Sequence, residues 1–586
     1  MIGKQIMFNP PLKYWKIKDQ GNTKDVEKLS RELNVSPVIS NLLVQRGICS
    51  SPEAELFFKP TYNQLHDPYL MKDMKKAVLR IEEAITRNER ILIYGDYDVD
   101  GTTSVAMMYL FLKKYHSNID FYVPNRYNEG YGISLKGIDY AAEQGIPLII
   151  ALDCGIKAAK KVKYAKEKGI DFIICDHHEP DTDIPEAIAV LDPKQVDCKY
   201  PFKELSGCGV GFKLIQAFAI YKKIDPNELI PLLDLVCVSI ASDIVPLTGE
   251  NRTLAYCGLI ELNKNPRTGL AAIIKEAKMG EKEIAIEDIV FKIGPRINAA
   301  GRIESGRSSV ELLISSNDKD AAIKGDLINT YNNERKSKDL QITTEALKLI
   351  ETNNDAKKRT TVIYNPEWSK GVIGIVASRL IETYYRPTIV LTESNGFITG
   401  SARSVPGFDL YKALEKCSHL METFGGHMYA AGLTLKKDSL KSFQDRFEKV
   451  VSESIEPEML IPGIEVDAEL KLTDVSPELY NQLKLFQPFG PGNMKPVFFT
   501  ENVNDNGSGK AVGKEEEHLK LNIISDDNRF KAIPCIAFGL GYLANKINKG
   551  VSFDICYSID ENVFRGNTTT QLIIKDIQFE SRKKSV

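Results

Sequence analysis

Between residues 90 and 191, short apolar runs alternate with amphipathic stretches, and this alternation constrains the fold more than any other feature of the chain. The runs occupy 90–94, 119–123, 147–152, 170–175 and 187–191, and helical patterns fill 102–115, 135–144 and 156–168. Strands joined through helices run parallel, because the chain must cross back before it can pair again. The alternation therefore predicts a doubly wound parallel sheet, an α/β fold that binds its ligands beyond the carboxyl ends of the strands. Acids stand at that end of four of the runs: Asp96, Asp98 and Asp100, then Asp153, Asp176 and Asp192. Asp176 is followed directly by His177 and His178, two of the chain's 7 histidines. Carboxylates gathered at one sheet edge repel one another unless they hold cations, and Asp with His is a donor set for Mn2+ or Mg2+.

Each acid also has a plain structural reading. Asp153 precedes Cys154-Gly155 and a helix, so it reads equally as a turn residue or N-cap; Asp243, at the end of the helical stretch 229–241, reads the same way. His177 and His178 alone read as a satisfied core pair. Asp96-Tyr97-Asp98-Val99-Asp100-Gly101 resembles the opening of a calcium loop, but the twelfth position is Met107 rather than glutamate, and a strand precedes it. Recurrence at one edge favours ligands over coincidence.

A chain of 586 residues exceeds one core, so about three or four domains are expected. Residues 1–80 read as a helical segment packing on the catalytic lobe, 81–309 as the parallel-sheet domain and 310–358 as a long connecting helix. A second, smaller α/β domain follows at 359–458, with strands at 361–364 and 388–391 around a helix at 371–384. From 459 to 580 the texture turns to β, with runs at 464–472, 497–501, 518–524, 530–538, 551–559 and 568–577, which suits a small barrel such as an OB-fold. The basic tail Arg582-Lys583-Lys584 reads as a solvated terminus. No run is long and apolar enough for a membrane helix, and residues 1–15 lack a secretory pattern. The 10 cysteines form no CxxC pair. A cytoplasmic protein is expected. With a net charge of -3, any nucleic-acid binding must rest on local patches.

Several strings then coincide in order. Tyr94-Gly95-Asp96-Tyr97-Asp98-Val99-Asp100-Gly101-Thr102-Thr103-Ser104, Leu152-Asp153-Cys154-Gly155, Asp176-His177-His178 and Ala241-Ser242-Asp243-Ile244-Val245-Pro246-Leu247 resemble the successive motifs of the DHH phosphoesterase superfamily, within it the RecJ branch of single-strand-specific 5′→3′ DNA exonucleases. Gly294-Pro295-Arg296-Ile297-Asn298-Ala299-Ala300-Gly301-Arg302, Gly400-Ser401-Ala402-Arg403-Ser404 and Gly425-Gly426-His427-Met428-Tyr429-Ala430-Ala431-Gly432 extend the resemblance, and Phe486-Gln487-Pro488-Phe489-Gly490-Pro491-Gly492-Asn493 is similar to the approach to that branch's OB domain.

The resemblance implies DHH, DHHA1 and OB domains and two Mn2+ or Mg2+ ions bridged by Asp153, with Asp98 completing one site and Asp100, His177 and Asp243 the other. Tyr94 stands where many relatives carry a histidine, which leaves the first site poorer in ligands, and Asp96 is a further candidate. His178, beside Asp176, is implied to contact the scissile phosphate, and Arg302 to bind phosphate in the transition state. Ser401, Arg403, Arg126, Gly426 and His427 are implied at the DNA and its 5′-phosphate, with Tyr131 stacking on a base. A channel between the two lobes, too narrow for a duplex, is implied as the source of single-strand selectivity. The implied partners are single-stranded DNA, single-strand DNA-binding protein and a helicase, with no membrane and a monomeric chain. Two other readings stay open: a phosphoesterase for short oligonucleotides or cyclic dinucleotides, and a non-catalytic replication scaffold. The β-rich tail speaks against the first and the full set of acids and histidine against the second.

Overall fold

The computed structural model describes residues 13–280, 282–353, 355–525, 528–564 and 567–579; the basic tail lies outside them. The chain divides into two compact units, Glu55–Lys336 with Phe486–Met494 as the first and the remainder as the second. Among the described residues no helix is long and apolar enough to cross a membrane.

The first unit is built on five strands, β1 (Ile91–Gly95), β2 (Ile119–Tyr122), β3 (Leu148–Leu152), β4 (Asp171–Cys175) and β5 (Ala189–Leu191), all parallel in the order β2-β1-β3-β4-β5. Side chains alternate across the sheet. Ile91, Ile93, Ile150, Leu152, Ile173 and Cys175 face one apolar layer, and Leu92, Tyr94, Ile149, Ala151, Phe172 and Ile174 face the other. Both faces are covered, which is why these strands read as continuous apolar runs. The first layer is closed by α1 (Met74–Thr86) and α2 (Val99–Lys113), the second by α3 (Leu135–Glu143) and α4 (Ala159–Glu167). Two further helices, α5 (Gly207–Lys222) and α6 (Leu233–Asp243), complete the first layer. Each fully buried Ile or Leu contributes about 1.5–3 kcal/mol, so this double-sided core fixes the strand ends firmly.

α2 begins at Val99, ahead of the start expected at 102, because the Asp98 carboxylate accepts the Gly101 N–H at 3.0 Å and caps the helix. Gly101 is required there: a Cβ would lie 2.4 Å from the Asp96 carbonyl oxygen. The expected connecting helix is two helices, Arg307–Leu313 and a 35-residue one, Asp318–Thr352. The Asn317 side chain accepts the N–H groups of Lys319 and Asp320 and starts the second afresh. The unit boundary falls inside that longer helix, between Lys336 and Ser337. Residues 486–494, expected at the approach to the barrel, belong to the first unit. Arg252 donates to the carbonyls of Phe486 and Pro488, and the Phe486 ring meets Phe57 and Phe58 edge-on.

In the second unit, the N-terminal residues depart from the expectation that they pack on the catalytic lobe. Strand Tyr14–Ile17 pairs in parallel with Gly463–Val466, Trp15 is buried among Val466, Val497, Phe499 and Cys556, and its indole donates to Asp576 at 2.7 Å. From Glu55 onward the same segment joins the first unit. A mixed sheet follows, of β6 (Thr361–Tyr364), β7 (Thr388–Ser394), β8 (Phe397–Arg403), β9 (Thr423–Gly426) and β10 (Ala430–Leu435), in the order β9-β10-β8-β7-β6. The glycine-rich string at 425–432 supplies the end of β9 and the start of β10. Five strands, Phe498–Asp505, His518–Ser525, Asn528–Ala537, Phe553–Phe564 and Asn567–Gln578, close into a barrel through pairing of the first with the second. Asp467 interrupts the expected run 464–472, leaving Gly463–Val466 and Ala468–Glu469 as separate strands.

Candidate active site

The carboxyl ends of β1, β3 and β4 and the C-terminus of α6 deliver the acids and histidines to one rim. After β1, Asp96 is fully buried; its Oδ1 accepts the Gly132 N–H at 3.1 Å and its Oδ2 has no partner. Asp100, in the first turn of α2, is fixed by four neighbours, three of them from distant segments. Its Oδ1 accepts from Cys208 N–H and the Ser239 hydroxyl, both at 2.7 Å, and more weakly from Ser104 at 3.5 Å; its Oδ2 accepts from Gly207 N–H at 2.7 Å. After β3, Asp153 adopts φ 58°, a left-handed conformation that aspartate tolerates, and its buried Oδ2 is unpartnered. Asp243 ends α6, where Ile244 at φ 60° turns the chain away. A β-branched residue in that region costs of order 1–3 kcal/mol, a strain the packed helix holds beside the rim.

His177 lies at the centre. Its Nε2 is 3.2 Å from Asp153, 3.6 Å from Asp243 and 3.7 Å from Asp100, yet it makes no hydrogen bond. Burial lowers its imidazole below the ordinary value and so favours the neutral ring. A neutral nitrogen facing three carboxylates, with an orphaned Asp153 oxygen beside it, fits a divalent cation held among them. Asp100, His177 and Asp243 offer ligand atoms within 4.8 Å of one another, and so do Asp153, His177 and His178. Asp98 belongs to neither group. Tyr94 is buried on the opposite face of the sheet, its hydroxyl donating to the Gly132 carbonyl at 3.0 Å.

The electrostatics agree. Burial, then the charge of neighbouring acids, pushes Asp96 and Asp153 well above the usual carboxylate range, and Asp100 moves the same way. Asp243, with 29% of its side chain exposed, is also pushed up. Asp176 is the exception. Burial would raise it, but the His178 hydrogen bond and charge, and the Ile156 N–H, drive it well below the usual range. Its Oδ1 accepts His178 Nδ1 at 2.7 Å and its Oδ2 the Ile156 N–H at 2.9 Å, so both oxygens are consumed. Burial opposes charge on His178, yet Asp176 outweighs it and lifts the imidazole to about 9. His178 Nε2 lies 3.0 Å from the Tyr131 hydroxyl.

Two of the arginines border this rim. The Arg126 guanidinium stacks 4.0 Å over the Tyr97 ring and donates to the Gly301 carbonyl at 3.2 Å. The Arg302 carbonyl accepts the Tyr127 hydroxyl at 2.5 Å. Ser401, Arg403, Gly426 and His427 stand in the second unit, where Ser401 pairs with Gly432 on β10, and Gly426 with Ala431. Arg403 donates to Ser401 Oγ at 3.1 Å and to the Ala402 carbonyl at 2.8 Å, and burial lowers its guanidinium. A Cβ on Gly374 would lie 2.9 Å from Ser401 Oγ and 3.1 Å from Arg403 Nη2, so the first turn of the helix Ile373–Thr383 sits against both.

The sequence reading passed over Gly207, Cys208 and Ser239, which clamp Asp100, and Ser206, whose hydroxyl accepts from Ser239. Gly207 also permits the approach of Asp153: a Cβ would fall 2.6 Å from the Asp153 Cβ. The signal was present as Ser206-Gly207-Cys208-Gly209, a hydroxyl N-cap followed by small residues where a helix N-terminus favours negative charge.

A doubly wound sheet with an acid-and-imidazole rim, a second mixed sheet and a terminal barrel together define a DHH-class phosphoesterase. Residues 90–240 match the DHH family N-terminal domain, 357–453 the DHHA1 domain and 466–576 the RecJ OB domain. The chain is 37% identical to the single-stranded-DNA-specific exonuclease RecJ of Bacillus subtilis (strain 168), covering 96% of this chain and 70% of that protein. It is 33% identical to the enzyme of the same name from Escherichia coli (strain K12), covering 92% and 96%. The structure superposes on that of RecJ from Thermus thermophilus in complex with Mn2+ with a TM-score of 0.83, at 23% identity over 97% of this chain and 80% of that one. The chain belongs to the RecJ family.

Proposed function

We propose that this chain is a divalent-cation-dependent exonuclease that degrades single-stranded DNA 5′→3′ to mononucleotides, in DNA repair and recombination. The observation that carries this reading is His177 Nε2 facing Asp153, Asp243 and Asp100 at 3.2–3.7 Å without a hydrogen bond.

Asp98, Asp100, Asp153, His177 and Asp243 would hold two Mn2+ or Mg2+ ions, which supply an activated water and offset charge on the phosphoryl oxygens. Gly207, Cys208 and Ser239 fix the Asp100 carboxylate, leaving little reorganisation when charge develops. Asp176 orients His178 and keeps it protonated, so its imidazolium donates to the scissile phosphate. Arg302 binds a phosphate oxygen, and Asp96 holds the 132 loop through the Gly132 N–H. Arg126 stays close to the rim on the Tyr97 ring, ready for a phosphate oxygen, and Tyr131 offers a ring to a base. Ser401 and Arg403, with Gly426 and His427, cup the terminal 5′-phosphate: a buried guanidinium whose hydrogen bonds go to a hydroxyl and a carbonyl suits a dianion.

The free, mostly buried cysteines fit a reducing cytoplasm. Single-strand DNA-binding protein and a helicase are the proposed partners of a monomeric enzyme. The test is incubation of end-labelled single-stranded and duplex DNA with the protein and Mn2+ or Mg2+. Mononucleotides released from the 5′ side of single strands alone support the proposal; duplex degradation, internal cuts or release from the 3′ side overturn it.

A further inference from the structure

The first unit holds another concentration of cations, apart from the residues assigned above, and an exposed aromatic ring stands on the turn that precedes it in the chain. Phe291 is 75% exposed. It lies on the π-helical turn Ile289–Ile293 that runs straight into α7 (Gly294–Ile303). Such turns recur at functional sites, because the extra residue re-aims the side chains. Lys292 pairs with Asp288 at 2.7 Å, while its carbonyl accepts Arg296 Nη1 at 2.8 Å. The other Arg296 hydrogen bonds also reach uncharged oxygens, Asn329 Oδ1 at 3.2 Å and the Glu276 carbonyl at 3.5 Å.

Asn329, Asn332 and Lys336 follow at i, i+3 and i+7 on the helix Asp318–Thr352 (α8), which places them on one face. Arg335 donates to Asn332 at 2.6 Å. Lys336 is exposed and has no ion-pair partner among the described residues. Burial, then the charges of Arg296 and Arg335, holds its ammonium below the ordinary value. Against these cations stands the Glu276 carboxylate, which accepts from Asn329 Nδ2 at 3.3 Å. Arg296 and Lys336, flanked by amides and an exposed ring, suit a polyanion with bases.

The position follows from α7. A Cβ on Gly294 would lie 2.7 Å from Ser242 Oγ, beside Asp243, and one on Gly301 2.6 Å from the Tyr97 carbonyl, between Asp96 and Asp98. α7 therefore spans the acid rim, with Arg302 near one end and Arg296 near the other.

We propose that Phe291, Arg296 and Lys336 form an auxiliary grip for single-stranded nucleic acid, the ring stacking on a base and the two cations binding phosphates outside the scissile position. This deepens the nuclease reading and rests on it for the identity of the strand. The test uses the full chain carrying Phe291→Ala, Lys336→Gln or Lys336→Arg. Each is assayed on an oligonucleotide of about 20 nucleotides, longer than one binding site, and on one of about 3. Phe291→Ala and Lys336→Gln raise KM for the long strand roughly tenfold and leave kcat and the short strand unchanged. Lys336→Gln also lowers the slope of log affinity against log salt by about 1, and Lys336→Arg restores it. An unchanged long-strand KM, or equal loss on both lengths, overturns the grip. Should the wild type cut neither strand, the nuclease reading falls. Fluorescence anisotropy of a labelled long strand in EDTA then still decides the grip: weaker binding by both variants upholds it and equal binding ends it.

Discussion

The acid rim of the first unit and the Ser401–Arg403 cup of the second are electrostatic opposites. At the rim, Asp96, Asp100, Asp153 and Asp243 are crowded, and burial pushes all of them toward the protonated form. In the cup, burial depresses a guanidinium whose hydrogen bonds, among the described residues, go to Ser401 and a backbone carbonyl. On the function proposed above, the rim would take positive charge and the cup negative charge. The difference lies in construction. The N-terminus of α5 and the Ser239 hydroxyl clamp the Asp100 carboxylate, whereas the cup is made from adjacent strands of one sheet against the first turn of a helix. The rim is best broken by removing charge, and the cup by removing the Arg403 cation.

The largest expected effect comes from Asp153→Asn. Hydrolysis falls by roughly a thousandfold or more, the scale reached when a preorganised charge is deleted. The same change relieves repulsion among the remaining acids, so without metal the variant melts above the wild type. Mn2+ at about 100 times its Kd stabilises the wild type by about 2.7 kcal/mol. Asp153→Asn loses that increment, while a change in the cup keeps it. Calorimetry with and without Mn2+ reads both; an unaltered Mn2+ response in Asp153→Asn would remove this residue from the cation site.

Gly207→Ala tests the clamp rather than the charge. The added methyl would meet Asp153 Oδ1 at 2.8 Å and its Cα at 2.8 Å, so the carboxylate must move. A displaced support costs about 10–100-fold in metal affinity or activity. Weaker Mn2+ binding with folding preserved is the expected result, and wild-type Mn2+ affinity would show that the approach is incidental.

Much of the rim was legible in the sequence because its signals are local. A continuous apolar run followed by Asp or His states both the strand and what its end delivers, as at 170–178. What those groups do was less legible. Asp176 looked as available as Asp153, yet it is consumed by His178 and Ile156, and only the fold distinguishes them. Gly207 and Ser239 lie 107 and 139 residues from Asp100, beyond any window of periodicity. The same non-locality hid the pairing of Tyr14–Ile17 with Gly463–Val466 and the return of 486–494 to the first unit. In the cup, β9 carried no strand signal because it is exposed and short, with too few apolar positions to announce a strand.

Arg403→Met sharpens the comparison from the other side. A charge-assisted hydrogen bond contributes about 1.5–3 kcal/mol, so the preference for a 5′-phosphorylated over a 5′-hydroxyl end drops roughly 10–100-fold. Metal binding and cleavage of the unphosphorylated strand remain as they were. Competition between the two labelled ends reads the ratio directly, and an unchanged ratio would move the terminal phosphate elsewhere.

The smallest effect is expected where the rim meets solvent. Tyr131 is 50% exposed, and its hydroxyl touches His178 Nε2 at 3.0 Å. With Nδ1 bonded to Asp176, that contact occupies the nitrogen that would reach a phosphate. If the hydroxyl only parks His178 until substrate arrives, Tyr131→Phe releases it at little cost, and kcat changes by less than about threefold while the ring still stacks. If the hydroxyl holds His178 in its working orientation, kcat falls by about tenfold, the value of one hydrogen bond at the upper end of its range. Tyr131→Ala separates the ring from the hydroxyl, since it raises KM through lost stacking in either case. A KM change in Tyr131→Ala with kcat preserved in Tyr131→Phe assigns this residue to strand binding; a shared fall in kcat makes it part of the machinery that positions His178.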